Sequence, residues 1–325
     1  MQACVCVIIP AYNAGATIAR AVASALAEPE VAEVFVVDDA SGDDTVARAR
    51  GADDGSDRLR VIALAANGGP SPARNAAIDA SVSPFLAILD ADDYLLPGRF
   101  ARLLARSDWD LIADNILFVL EGSEDSAAPP SGGDRHRTLT LGEFVERNIS
   151  RPGRPRAELG FLKPLIRRVM LDTLGLRYQE DIRLGEDYLL YAEALARGAR
   201  FELAEACGYV AIERAGSLSG RHSTDDLARL LAADRRLAAR PGITPGDRKI
   251  LASHVAALDI KHAHRRFLDD KRDDGLVRAL IPLLGHPVRL AEVAGAIIRD
   301  KRAPLPVKAR SLRTLFAAGE FDHLG

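Results

Sequence analysis

The most constraining feature of this sequence is a recurring alternation of short Val- and Ile-rich runs with segments of helical periodicity. From Cys4 to Ile9 every residue is apolar, and an unbroken run of that length suits a strand covered on both faces, as parallel strands are. β-Rich segments return at Val31–Val37, Leu59–Ala63 and Phe85–Leu89. Between them lie a stretch with Ile18, Val22, Ala25 and Leu26 on one helical face, a second helix near Thr45–Arg50 and a third over Pro72–Ala80. The alternation predicts an open, mainly parallel α/β sheet with flanking helices.

A chain of 325 residues leaves room for about two units. The Gly-, Ser-, Asp- and Pro-rich stretch Glu121–Arg137 predicts a mobile surface loop. It divides a sheet domain over residues 1–222 into a first half, about 1–120, and a second, about 138–222. In the second half Leu141–Asn148, Pro164–Leu174 and Asp187–Arg197 read as helices, and Arg200–Leu203 and Tyr209–Ile212 as short strands. Residues 223–325 read as a helical extension rich in Ala, Leu and Arg, broken at Pro241, Pro245, Pro282, Pro287 and Pro304. Apolar stripes on Leu276–Leu284 and Leu290–Ile298, flanked by Arg and Lys, are expected to pack on the sheet domain or form a homodimer. Peripheral attachment to an anionic membrane is the alternative.

Composition narrows the partners. A formal net charge of −3 with 27% charged residues describes a soluble globular chain and gives no electrostatic case for nucleic acid. Cys4, Cys6 and Cys207 are the three cysteines, two of them inside the first strand, and imply neither a disulfide framework nor a zinc site. The apolar start Met1–Pro10 is too short to span a membrane and lacks the basic flank and cleavage site of a signal peptide. The expected location is the cytoplasm, at the inner face of the plasma membrane if the extension docks there.

In open α/β sheets ligands bind beyond the carboxyl ends of the strands. Pro10-Ala11-Tyr12-Asn13, Asp38-Asp39-Ala40-Ser41, Asn67-Gly68-Gly69-Pro70 and Asp90-Ala91-Asp92-Asp93 follow the four predicted strands in order. Taken singly, the second and third also read as capped turns. The third lacks the lysine and hydroxyl of a P-loop, and no Gly-x-Gly-x-x-Gly follows the first strand, so neither an NTPase nor a dinucleotide enzyme is supported. Three carboxylates in four residues repel one another unless a cation or donors compensate. Their hard oxygens suit Mg²⁺ or Mn²⁺, with diphosphate oxygens and water completing the shell. Glu186-Asp187 opens a predicted helix, where the dipole alone accounts for acidic side chains. Arg74, after the glycine turn, reads as a surface charge or as a phosphate partner beside a helix N-terminus.

Together these segments resemble the family 2 glycosyltransferases, inverting enzymes with the GT-A fold, from about Val5 to Ser219. The matching pieces are Val7–Asn13, Val36–Ser41, Asn67–Pro70 with Ala73-Arg74-Asn75, Leu89–Asp93 and Gly185-Glu186-Asp187. Within the family, Ala113-Asp114-Asn115, Gly160–Arg168 and Gly185–Tyr191 resemble the succinoglycan-type exopolysaccharide transferases that add glucose to lipid-linked oligosaccharides. The resemblance implies transfer of one sugar from a nucleotide diphosphate sugar, UDP-glucose first among the candidates, to a glycan or lipid-linked saccharide.

Carried onto this chain, the resemblance implies Tyr12 and Asp39 around the nucleobase with Asp38 nearby, and Arg74 and Asn75 near the ribose or diphosphate. It implies Asp90 on the ribose and Asp92 on the metal, within an Asp-x-Asp pattern. Pro10, Asn13, Gly69 and Ala91 complete the nucleotide-sugar site. Asp187 matches the base, Glu186 orients groups in the acceptor site, and Arg214 lies in a segment that closes over the diphosphate. His222 matches an extra metal ligand of some relatives, against the plainer reading of a solvated side chain. With no Gln-x-x-Arg-Trp segment and no transmembrane span, processive polymerisation is not expected. A nucleotidyltransferase is the alternative among enzymes, but its Gly- and Lys-rich loop after the first strand is absent. A non-catalytic sugar-nucleotide-binding protein is the alternative outside them, and the pair Asp92 and Asp187 argues against it.

Overall fold

The computed structural model describes residues 3–123, 133, 135–149, 158–213, 223–302 and 312–316. A central strand, β1 (Val5–Ala11), pairs in parallel with β2 (Val31–Asp38) on one side and β4 (Phe85–Ile88) on the other, and β3 (Leu59–Ala63) continues in parallel beyond β2. Val5–Ile9 are completely buried, which is why that run tolerates no polar alternation. Helix α1 (Ile18–Leu26) buries the stripe Ile18, Ala21, Val22, Ala25 and Leu26. Helix α2 (Thr45–Gly51) follows β2 and α3 (Pro70–Ala80) follows β3. The start of α3 is set by Gly69 at φ +92°, a conformation that favours glycine, and by Pro70, whose fixed φ suits a first helical position.

The rest of the sheet departs from the sequence expectation. The order is β3-β2-β1-β4-β8-β6-β9-β5. Here β5 is Tyr94–Leu95, β6 Leu111–Leu120, β8 Leu165–Arg167 and β9 Phe201–Glu213, while β7 (His136–Leu139) pairs with β9 and β10 (Leu312–Thr314) with β6. Strands β1, β2, β3, β4, β6 and β9 share one direction, so the sheet is mainly parallel, and β8 runs against both β4 and β6. Helices α4 (Arg99–Leu104), α6 (Arg168–Leu174) and α7 (Glu186–Ala196) connect this half.

Three readings are corrected. Pro164–Leu174 is not one helix: Leu165–Arg167 is extended and the helix starts at Arg168, because Pro164 is followed by residues that complete the ladder between β4 and β6. Arg200–Leu203 and Tyr209–Ile212 belong to one strand, β9, whose register against β6 slips around Asn115 and so carries the polar stretch between them. Strand β6 was not anticipated, since Asp114 and Asn115 interrupt its apolar run. The stretch Glu121–Arg137 falls mostly outside the described residues, and its last two, His136 and Arg137, open β7.

Two compact units divide the chain. The first comprises the sheet residues of Met1–Thr140, Phe161–Ala215 and Ala309–Gly325, and the second comprises Leu141–Gly160 and Gly216–Lys308. In the second unit the 30-residue α9 (Pro245–Asp274) is the axis on which α5 (Leu141–Arg147), α8 (Thr224–Ala238), α10 (Leu276–Leu284) and α11 (Pro287–Arg302) pack. Ser223 and Asp226 form a reciprocal cap on α8, and Thr244 accepts from the Asp247 N–H ahead of Pro245, each satisfying N–H groups a helix start leaves open. Phe267, Ala279, Leu283 and Val293 form a core there. Beside it is a cavity of about 740 Å³ that holds none of the strand-end residues. Among the described residues no helix is long and apolar enough to cross a membrane.

Candidate active site

The loops after β1 and β2 are stapled together. Asn13, at φ +49°, accepts from the Gly42 N–H at 2.8 Å, and its own N–H donates to Ser41 Oγ at 2.8 Å. Pro10 is the penultimate residue of β1, and Tyr12, just past the strand, is 51% exposed. Asp38 is buried at the end of β2, where Oδ2 accepts from the Ser41 N–H at 3.1 Å and Oδ1 has no hydrogen-bond partner. Both oxygens of Asp39 are occupied, by the N–H groups of Gly68 and Gly69 at 2.8 Å each. Asp39 therefore shapes the third turn, and Asp38 holds the open acceptor at these two strand ends. Asn75 is likewise committed to protein: it accepts from the Tyr178 N–H at 3.0 Å and donates to the Tyr178 carbonyl at 2.9 Å.

The acidic turn after β4 splits its carboxylates between two tasks. Asp93 points inward, accepting from Tyr209 Oη at 2.7 Å and the Ile212 N–H at 2.8 Å. Burial, and then the charges of Asp90 and Asp92, push its carboxyl well above the usual range. Ala91 is buried, whereas Asp92 is half-buried and Asp90 is 34% exposed at its side chain. The Asp92 carbonyl accepts from Arg20 at 2.8 Å.

Gly185 sits at φ +71° immediately before α7, a turn that favours glycine and sets Glu186 and Asp187 in the first helical turn. Arg74, 3% exposed, reaches Glu186 at 2.8 Å, Asp187 at 3.3 Å and Asp90 at 3.5 Å. Lys163 bridges Asp187 at 2.8 Å and Asp90 at 3.0 Å, and Tyr178 donates to Asp187 Oδ1 at 3.1 Å. Burial acts to raise the Asp187 carboxyl. The charges of Arg74 and Lys163 and the hydrogen bonds from Lys163 and Tyr178 outweigh it, so Asp187 lies below the ordinary carboxylate range. The result is a buried carboxylate with both cations beside it, an environment that favours its ionised form.

The resemblance put Arg74 and Asp90 on the donor and Glu186 and Asp187 at the acceptor, and the structure joins all four in one ion-pair cluster. Sequence reasoning assigned no role to Lys163 or Tyr178, which complete the cluster. Lys163 stood inside Gly160–Arg168, and a lysine just before a proline, whose neighbour is biased to extended backbone, was the available signal. Arg214 and His222 lie outside the described residues. No group of three His, Cys, Asp or Glu among the described residues could hold a metal ion unaided. Asp90 is tied to Arg74 and Lys163 and Asp93 to Tyr209 and Ile212; a single carboxylate, Asp92, is compatible with Mg²⁺ or Mn²⁺, which can bind through one carboxylate and take their other oxygens from substrate phosphates and water.

Glycosyl transferase family 2 is the family whose profile matches this chain, over residues 6–155. The succinoglycan biosynthesis protein ExoU of Rhizobium meliloti (strain 1021) is 49% identical over 304 residues, covering 91% of this chain and 87% of that protein. ExoO of the same organism, also a succinoglycan biosynthesis protein, is 38% identical over 97% of this chain and 87% of its own. S. aureus TarS 1-349, solved in complex with UDP-GlcNAc, superposes with a TM-score of 0.62 at 19% identity, covering 94% of this chain and 82% of that one; it shares the fold. With a GT-A-type sheet and this extent of likeness to ExoU and ExoO, the chain is a glycosyltransferase and belongs to glycosyl transferase family 2.

Proposed function

We propose that this enzyme transfers a single sugar from a UDP-sugar to a glycan or lipid-linked saccharide in exopolysaccharide synthesis, with inversion at the anomeric carbon and Asp187 as base. The observation that carries the reading is the Asp187 carboxylate itself, held by Lys163, Arg74 and Tyr178 at the start of α7. In the step, the acceptor oxygen bonds to the anomeric carbon, the bond from that carbon to the diphosphate breaks, and the hydroxyl proton passes to Asp187. A carboxylate of low basicity suffices, because the hydroxyl becomes acidic only as its oxygen bonds to carbon. Arg74, buried and paired with Asp90, Glu186 and Asp187, offsets the negative charge these three carboxylates bring together. The exopolysaccharide setting is supported by the succinoglycan role of ExoU and ExoO, and the UDP-sugar by the UDP-GlcNAc complex of TarS. Tyr12, half exposed, offers a ring face for the nucleobase.

A divalent cation at this turn supplies Lewis-acid stabilisation of the leaving diphosphate, and Asp92 would hold it. Asp92→Ala is therefore expected to lower UDP-sugar affinity in Mn²⁺ to the metal-free value. Calorimetry with and without Mn²⁺ checks this, and a variant that still binds the donor more tightly with metal would remove Asp92 from the role.

The helical unit supports attachment to an anionic bilayer. Leu276, Val277, Ile281 and Leu284 of α10 are exposed, Val277 at 76%. Helices α10 and α11 together carry five Arg and Lys against two Asp and Glu, although the whole chain is net negative. Co-sedimentation with phosphatidylglycerol vesicles is expected, and Ile281→Asp with Leu284→Asp should abolish it. Binding that survives the double change, or none in the parent, would sink the attachment.

A further inference from the structure

Lys163 is a buried lysine that no strand-end reasoning required. It stands two residues before β8, which runs antiparallel to β4 with Leu165 opposite Ala87. That reversed direction brings the residues preceding β8 to the carboxyl end of β4, where Asp90 lies. Lys163 is 6% exposed, and its ammonium meets Asp187 at 2.8 Å and Asp90 at 3.0 Å. Its backbone is fixed independently: Arg99 donates to the Lys163 carbonyl and is itself gripped by both oxygens of Asp114, at 2.8 to 3.1 Å. Gly208 leaves no alternative for that grip, since a Cβ there would come within 2.3 Å of Asp114 and 2.6 Å of Arg99.

We infer that Lys163 is a positioning residue for transfer, whose ammonium ties the Asp187 carboxylate to Asp90 and holds it ionised and aimed at the acceptor hydroxyl. The inference rests on Asp187 acting as base. Burial works against the ammonium, but the charges of Asp187 and Asp90 outweigh it and raise the Lys163 pKa above that of a free lysine, which favours the charged form at neutral pH. Among the described residues, several elements present charged or titratable groups to Asp187. Arg74 comes from α3, Lys163 from the segment before β8, Tyr178 from the segment after α6, Glu186 and Tyr191 from α7 itself, and Asp90 faces it through Lys163. Arg74 divides its guanidinium among three carboxylates, whereas Lys163 gives Asp187 its shortest ion pair. Loss of Lys163 therefore leaves Asp187 partnered but less firmly ionised and free to turn.

The test compares Lys163→Met, Lys163→Gln and Lys163→Arg in the full chain. The Asp187 carboxyl is followed by ¹³C NMR, its signal identified by its loss in Asp187→Asn. The Met and Gln variants should raise its titration midpoint by roughly one pH unit or more, the scale of a cation beside a carboxylate, and Arg should restore it. Turnover at saturating UDP-sugar should fall about 10²-fold in Met and Gln, as for a misplaced reacting group, with donor affinity nearly unchanged. A midpoint unmoved in variants that melt like the parent would overturn the inference; using two uncharged replacements guards against one of them failing to fold. If the midpoint moves but Asp187→Asn keeps parental turnover, the failure belongs to the base assignment and not to the role of Lys163 as its anchor.

Discussion

The Asp114→Ala variant is expected to be less stable than the parent by about 3–5 kcal/mol, the usual penalty for removing one partner of a buried ion pair. Arg99 is 1% exposed and Asp114 2%, so water cannot replace the lost carboxylate. The guanidinium would remain beside Phe100 and Tyr209 with only the Lys163 carbonyl in hydrogen-bond contact, and moving it to solvent means breaking the packing between α4 and β9. Urea unfolding checks this, because a lower midpoint with an unchanged slope reports stability alone. Exchanging both partners for apolar residues, Arg99→Met with Asp114→Leu, should recover most of the loss, since paired charges in a core are about as stable as well-packed hydrocarbons. A loss under 1 kcal/mol for Asp114→Ala would mean that the pair does not hold this half of the sheet together.

What the sequence made legible follows from how each element signals itself. The first half announces its strands because Val5–Ile9 and Val34–Val37 are covered on both faces and cannot admit polar residues, so each run ends abruptly in the cluster that forms the site. Asp90 was accessible for that reason, whereas Arg74, Glu186 and Asp187 became candidates through the resemblance carried by the motifs around them. The second half hides its strands. In β6, Asp114 and Asn115 are buried polar residues that look like a break until their partners are seen: Arg99 for one, and the Phe316 backbone for the other. Strand β8 is three residues long, too short for periodicity to mark, and only the pairing with β4 and β6 makes it a strand.

The candidate site was legible as a list and not as an arrangement. Nothing in Asp38-Asp39 tells which carboxylate is consumed by the neighbouring turn, because that depends on the N–H groups of Gly68 and Gly69 some thirty positions away. Asn75, placed near the ribose or diphosphate by the resemblance, also hydrogen-bonds the Tyr178 backbone, a contact that no local pattern announces. Lys163 was invisible as a site residue because its two partners lie on other elements, beyond the reach of any local pattern.

Asp187→Asn should lose transfer by roughly 10²–10⁴-fold, the contribution of a positioned general base, while leaving the donor nearly as tightly bound. Asparagine keeps the side-chain shape and the contact with Tyr178 but cannot take a proton, so a loss in turnover without a loss in affinity isolates the chemical step. Glu186→Gln should do less, because Glu186 faces Arg74 and not the Lys163–Tyr178 clamp. In the parent, the depressed Asp187 carboxyl keeps the base ionised at and above its ordinary range of about 4, so turnover should not fall between neutral pH and pH 5 through this group. The decisive measurement sets UDP-sugar affinity and transfer rate of the parent beside those of Asp187→Asn with an acceptor that supports transfer. Affinity kept and turnover lost is the expected result, and an Asp187→Asn enzyme with near-parental turnover would contradict the assignment of Asp187 as base.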